Sequence, residues 1–337
     1  LQKHHCKYGL KNHSTYTHSL MKFIAPSYKD IALAAERIAP YAHITPVLSS
    51  ENLNKLLGTK IFFKCENFQK VGAFKFRGGC NSVFNISEEH LQKGVATHSS
   101  GNHAQAVALA AKLRTAKAYI VMPENAPKVK IEAVKGYGAE IIFCDSTISA
   151  RESTLADVVK KTGATEIHPY DYFDVIAGQG TCAKEFLENN PELDIIMAPI
   201  GGGGLLSGTA IASKAIKPTI KVIGAEPDQA DDAYQSFISG KRITDITPNT
   251  IADGLRTTVG KLTFSIIQDQ VDQIVTVSEA SIIEALKLIW TRLKIIIEPS
   301  CAVPVAALLE QKIDLSNKPI IGIILTGGNV DLDKLPW

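Results

Sequence analysis

Lys75 stands between Phe74 and Phe76 in the stretch GAFKFRGG, residues 72–79, with Arg77 and two glycines behind it. In a strand or a helix at least one of those rings must face the interior, so the ammonium sits against an apolar wall. Desolvation of that kind lowers a lysine's pKa, and the neutral amine is a nucleophile. Three further stretches carry chemistry. In DIIMAPIGGGGLLSGTA an apolar strand ends at Ile200, and Gly201, Gly202, Gly203 and Gly204 lead into a helix. Consecutive glycines let backbone N–H groups gather round one anion at the positive end of a helix, and a phosphate fits. The spacing is neither a dinucleotide fingerprint nor a P-loop. In ATHSSGNHAQA a strand gives way to Ser99, Ser100, Gly101 and Asn102, with a helix expected from near His103. Small hydroxyl and amide groups there can cap the helix or hold a ligand at the sheet edge. In IILTGGNVD the last strand ends in Thr326, Gly327, Gly328 and Asn329, which suits close approach to a flat ligand.

Such loops need a scaffold that gathers them at one edge. KAYIVMP, AEIIFCD, DIIMAPI, KVIGAEP and PIIGIILTGG are short, apolar runs that read as buried parallel strands. NHAQAVALAAKLR and GLLSGTAIASKAIK between them have apolar residues at helical spacing. Strand–helix alternation implies an α/β fold with open parallel sheets, whose ligands bind at strand C-termini. The chain has 337 residues, 45% of them hydrophobic and 21% charged, the composition of a soluble globular protein. Its formal charge of +2 carries no nucleic-acid footprint, and no apolar run is long enough to span a membrane. Cys6, Cys65, Cys80, Cys144, Cys182 and Cys301 form no CxxC pair and several lie in apolar runs, as buried thiols of a cytoplasmic protein would. His4, His5, His13 and His18 fall in a polar stretch, residues 1–21, read as a disordered leader or tag-like tail ahead of a natural start at Met21.

GAFKFRGG, SSGNHAQ, GGGG and LTGGN, in this order and spacing, resemble the fold-type II pyridoxal-phosphate enzymes, and within them the serine racemase and serine/threonine dehydratase branch. The resemblance runs from about Pro26 to Asp331. It implies an α/β fold of two open twisted, mostly parallel sheets flanked by helices, with a small domain inserted in a large one. The large, cofactor-binding domain would comprise residues 22–93 and 171–337, and the small domain residues 94–170, closing over the substrate. Lys75 would form the Schiff base with the cofactor aldehyde and Phe74 would pack against the cofactor. Asn102 would donate to its phenolic oxygen, Gly201, Gly202, Gly203 and Gly204 would bind its phosphate, and Thr326 would face its pyridine nitrogen. A neutral hydroxyl there leaves the ring a weaker electron sink than an aspartate would, which favours elimination or racemisation over aminotransfer. Ser99, Ser100, Gly101, Asn102 and His103 would line the substrate site.

Racemisation needs a proton donor or acceptor on each face of a planar intermediate. Lys75 can serve one face and Ser100 the other; dehydratases of this family typically carry alanine where Ser100 stands. The stretch HPYDYFDVIAGQGT, residues 168–181, resembles the dehydratases more closely, and Tyr170 is expected to alter how substrate is held. The expected activity is therefore a serine racemase that also dehydrates L-serine and L-threonine. The alternatives are a threonine/serine dehydratase with little racemisation, a threo-3-hydroxyaspartate ammonia-lyase, and a catalytically dead cofactor-binding protein. A cysteine-synthase type is disfavoured, since its turn continues with threonine where His103 stands. Glu226, Asp231 and Asp232 in GAEPDQADDAY offer hard oxygen ligands. The resemblance narrows these to Glu226, the Ala230 carbonyl and Asp232, holding Mg²⁺ or Ca²⁺ away from the glycine loop. Arg77 is expected to pair with a carboxylate, His103 to help begin its helix, and Asp253 and Gly254 to lie beside the cofactor. A small amino-acid substrate, a homodimer and no isoleucine-sensing regulatory domain complete the expectation.

Overall fold

The computed structural model describes residues 24–126 and 128–337; the leader, its four histidines and Cys6 lie outside them. Ten strands form two sheets: β1 Val47–Leu48, β2 Ile61–Cys65, β3 Val95–His98, β4 Ala118–Pro123, β5 Glu140–Cys144, β6 Thr165–Glu166, β7 Ile195–Pro199, β8 Lys221–Pro227, β9 Gln273–Val277 and β10 Ile321–Leu325. The six-stranded sheet has the order β1-β2-β10-β7-β8-β9 and the four-stranded one β5-β4-β3-β6. Every pairing is parallel except β1 with β2. All four strands of the smaller sheet fall between β2 and β7 in the chain, so one α/β unit is inserted in another.

The apolar runs behave as the pattern requires. β7 and β10 are buried along their whole length, because helices cover both faces of the larger sheet. Phe63, Met197 and Ile323 point into one core layer, and Ile196, Ala198 and Ile324 into the other. AEIIFCD departs from the expectation of a buried strand. It forms β5 at the edge of the smaller sheet, with Phe143 47% exposed, since only one neighbouring strand is left to pair with it.

Register decides where the loops go. β10 lies between β2 and β7, with Leu325 opposite Cys65 and Ile323 opposite Met197. The segments after these three strands therefore leave from one edge of the sheet. The helix Lys75–Phe84 then bridges the two units. Just ahead of it, Phe74 N–H donates to Thr326 O at 2.9 Å and Ala73 pairs with Gly327, while Phe76, Cys80 and Val83 enter the core of the smaller sheet beside Val107 and Ile120. Among the described residues no helix is long and apolar enough to cross a membrane, and the five described cysteines are free and buried.

Candidate active site

Lys75 is the first residue of its helix, at the junction of the two sheets. Its Nζ lies 5.1 Å from the Phe74 ring centroid and donates to the Pro169 carbonyl at 2.8 Å. Phe76, on the other side, is fully buried in the core. Burial pulls the Lys75 ammonium down to about 8, against the opposing pull of the Glu298 carboxylate. The chain thus holds an amine whose neutral fraction near physiological pH is far larger than that of an ordinary lysine.

Glu298 is the principal site residue that sequence reasoning missed. Its oxygens accept from Asn102 Nδ2 at 3.1 and 3.0 Å, and Asn102 Oδ1 accepts from Asn329 Nδ2 at 2.9 Å. Asn329 also donates to the Val71 carbonyl at 2.7 Å, so the SSGN, GAFK and LTGGN stretches are tied by one polar chain. Burial first, and then Asp253, push the Glu298 carboxyl up to about 7. In the sequence this glutamate ends an apolar run and precedes Pro299, which marks only a helix start; it is the N-cap residue of the helix Pro299–Leu309. Thr326 is buried, with its hydroxyl 3.2 Å from the Cys301 thiol.

The glycine turn follows β7 directly. Gly203 has φ +87°, a left-handed conformation that glycine adopts without strain, and the helix Gly204–Ile216 begins with no side-chain cap. Its first N–H groups are therefore available to an anion. Two of the glycines have a further reason to lack side chains. A Cβ on Gly202 would lie 2.2 Å from the Tyr170 ring, and one on Gly204 3.0 Å from Tyr170 Cβ. Since Pro169 binds Lys75, the segment that crosses from the small sheet joins the amine to the glycine turn. That contact spans distant parts of the chain and left no local sequence signal.

The turn after β3 ends with the helix Asn102–Leu113, one residue earlier than expected. Ser99 Oγ accepts from Gly101 N at 3.3 Å, and Ser100 is half-buried at the tip. His103 is buried, with Nε2 3.0 Å from the Ile167 carbonyl and Nδ1 without a partner. Burial and the nearby Lys75 hold its imidazole well below the usual range, so it is neutral and Nε2–H is the donor. Arg77 pairs with Glu66 and Glu185 in a buried network, a structural arrangement. Asp253 pairs with Lys130 at 2.7 Å, and Gly254 O lies where a Cβ on Gly201 would come within 3.1 Å.

Glu226, Ala230 and Asp232 form a separate buried cluster. Glu226 Oε1 accepts from Tyr234 N at 2.6 Å, whereas Oε2 is buried with no partner; Asp232 Oδ2 accepts from Val259 N at 2.8 Å. No group of three or more histidine, cysteine, aspartate or glutamate side chains gathers for a metal among the described residues. Distance along the chain proves a poor guide to this cluster. Gly260, next to Val259, donates to Gly202 O at 3.4 Å, so the acidic cluster lies close behind the glycine turn.

The comparisons agree with this geometry. The family model described as "Pyridoxal-phosphate dependent enzyme" matches residues 38–327. The chain is 51% identical to a serine racemase of Dictyostelium discoideum over 91% of its own length and 96% of the relative's. It is 50% identical to a beta-hydroxyaspartate dehydratase of Paracoccus denitrificans over 93% and 99%. The structure of maize serine racemase superposes with a TM-score of 0.90 at 50% identity, covering 92% of this chain and 95% of the other. A buried amine joined to a glycine turn through Pro169 and Tyr170, on an α/β unit inserted in another and matched over nine-tenths of the chain, makes this chain a member of the fold-type II pyridoxal-phosphate dependent enzymes, in the serine racemase and threonine dehydratase family.

Proposed function

We propose that this enzyme racemises serine and also dehydrates L-serine, with L-threonine as a second substrate. The observation that carries the reading is the buried Lys75 amine, lowered to about 8, within a site that also contains Asn102, Glu298 and the glycine turn. These residues fit pyridoxal phosphate: an amine for its aldehyde, uncapped helix N–H groups for its phosphate, and the neutral Thr326 hydroxyl for its ring nitrogen. The cofactor, when bound, supplies the electron-withdrawing ring that acidifies the substrate Cα–H. The chain does the rest. Lys75 Nζ takes or returns the Cα proton on one face, and Ser100 Oγ does so on the other. Asn102, braced by Glu298 and Asn329, would hold the cofactor ring, and Phe74 would pack against it. Ser99, Gly101 and His103 complete the substrate turn. Residues 94–170 act as the small domain, closing to exclude water. A homodimer in a thiol-reducing compartment is part of the same reading, the latter supported by the buried free thiols.

The test is an assay of the purified enzyme on L-serine, D-serine, L-threonine and threo-3-hydroxyaspartate, scoring keto acid against chiral inversion. Inversion of serine together with pyruvate release supports the proposal; keto acid without inversion favours the plain dehydratase.

One observation favours hydroxyaspartate as a further substrate. Arg151 Nε is buried without a partner, and its charge is felt at His98, the residue just before the serine turn. A second carboxylate on the substrate would satisfy it. Arg151→Ala should then raise KM for threo-3-hydroxyaspartate about tenfold or more while leaving that for L-serine within about twofold. Equal effects on both would remove this reading.

Glu226, the Ala230 carbonyl and Asp232 suit Mg²⁺ or Ca²⁺, and the partnerless Glu226 Oε2 in a buried acidic cluster supports it. Chelation should lower the melting temperature by several degrees, and either ion should restore it. Glu226→Gln should abolish the response. An unchanged melting curve on chelation would argue for a buried acidic cluster that holds no metal.

A further inference from the structure

Asp171 follows Pro169 and Tyr170 in the segment that crosses from the small sheet to the large one. Its carboxylate caps the helix Lys261–Gln270: Oδ2 accepts from Lys261 N at 2.9 Å, and Oδ1 from Leu262 N at 2.9 Å and Thr263 N at 3.1 Å. The residue ahead of that helix is Gly260, which has no side chain to cap it. A Cβ on Gly260 would lie 2.2 Å from Asp171 Cγ, so the glycine is what admits the carboxylate. A charged acceptor shared by three terminal N–H groups is a strong anchor.

The first turn of that helix also reaches the glycine turn. Thr263 Oγ1 donates to Gly202 O at 2.8 Å, and a Cβ on Gly203 would meet Thr263 Cβ at 2.9 Å. Tyr170 packs directly on Gly202 and Gly204. The crossing segment itself is folded tightly, with His168 Nδ1 accepting from Tyr170 N at 3.3 Å and Asp171 N at 2.9 Å, and the two rings in edge contact at 4.7 Å. The glycine turn is thus held between Tyr170 and Thr263, and Asp171 is the residue that joins the two jaws.

We propose that Asp171 is a positioning residue that clamps the glycine turn in its phosphate-accepting form, and thereby sets how tightly the cofactor's phosphate is held. This inference rests on the pyridoxal-phosphate reading above. It concerns a residue that touches neither the amine nor the ring, so its signature is selectivity for the phosphate group. Cofactor-free enzyme is titrated with pyridoxal phosphate and, separately, with pyridoxal, which keeps the aldehyde and lacks the phosphate. Binding is followed by visible absorbance. Asp171→Ala should weaken pyridoxal phosphate about tenfold and change pyridoxal by less than about twofold. Asp171→Asn, which retains one acceptor, should lose about threefold on pyridoxal phosphate alone, and it carries the test if the alanine variant does not fold. Equal losses for both ligands, or unchanged affinity for pyridoxal phosphate, overturn the clamp. Failure of the unsubstituted enzyme to bind pyridoxal phosphate overturns the cofactor reading and the clamp with it.

Discussion

Lys75→Ala is expected to remove both activities, with kcat/KM for L-serine falling by at least roughly 10³-fold. On the proposed mechanism the loss has two parts. The site would lose the amine that bonds the cofactor aldehyde, and one face of the substrate would lose its proton carrier. Folding should survive, because the substitution costs the single hydrogen bond to the Pro169 carbonyl, worth about 1 kcal/mol. Lys75→Arg should be equally inactive despite its positive charge, since a guanidinium stays protonated and is no nucleophile. The pH dependence follows from the lowered amine. With burial holding Lys75 at about 8, its neutral fraction passes one half as pH rises through 8 and levels off about a unit higher. Capture of pyridoxal phosphate by cofactor-free enzyme, followed by stopped-flow absorbance, should therefore accelerate from pH 6 upward, reach half its limit near pH 8 and plateau about a unit above that. An inflection near 10, the value of an ordinary lysine, would contradict the burial argument.

Ser100→Ala divides the reactions. Loss of one of two proton carriers should reduce racemisation by roughly 10²-fold or more, while pyruvate formation from L-serine stays within about threefold. If Ser100 serves the face opposite Lys75, as proposed, dehydration of D-serine should fall with racemisation. Chiral chromatography with pyruvate detection measures all three. If the L-serine elimination rate falls as far as racemisation does, Ser100 binds substrate and carries no proton.

The family was legible because each of the four motifs is local: a lysine between aromatics, a run of glycines at a strand end, and two polar turns. Parallel strands were legible from apolar runs such as DIIMAPI and PIIGIILTGG, which become β7 and β10. What joins the motifs was hidden. Glu298 meets Asn102 across 196 positions, and Asn329 meets Asn102 across 227, contacts fixed by strand order that no local window contains. The edge position of β5 was hidden for the same reason, since an apolar run does not reveal how many neighbours it will have. Tyr170 shows the subtler limit. The run of glycines suggested an anion cradle, yet Tyr170 occupies the space a Cβ would need, with its ring at Gly202 and with its Cβ and backbone at Gly204. One glycine can answer to two constraints, and the sequence displays only that the side chain is absent.

The account turns on one amine, and borohydride reduction reads it directly. Enzyme saturated with pyridoxal phosphate is reduced, digested and mapped by mass spectrometry. The account predicts loss of the visible band together with activity, and a single pyridoxyl adduct on the peptide that contains Lys75. An adduct on a different lysine, or reduced protein that is unmodified and still active, would contradict it.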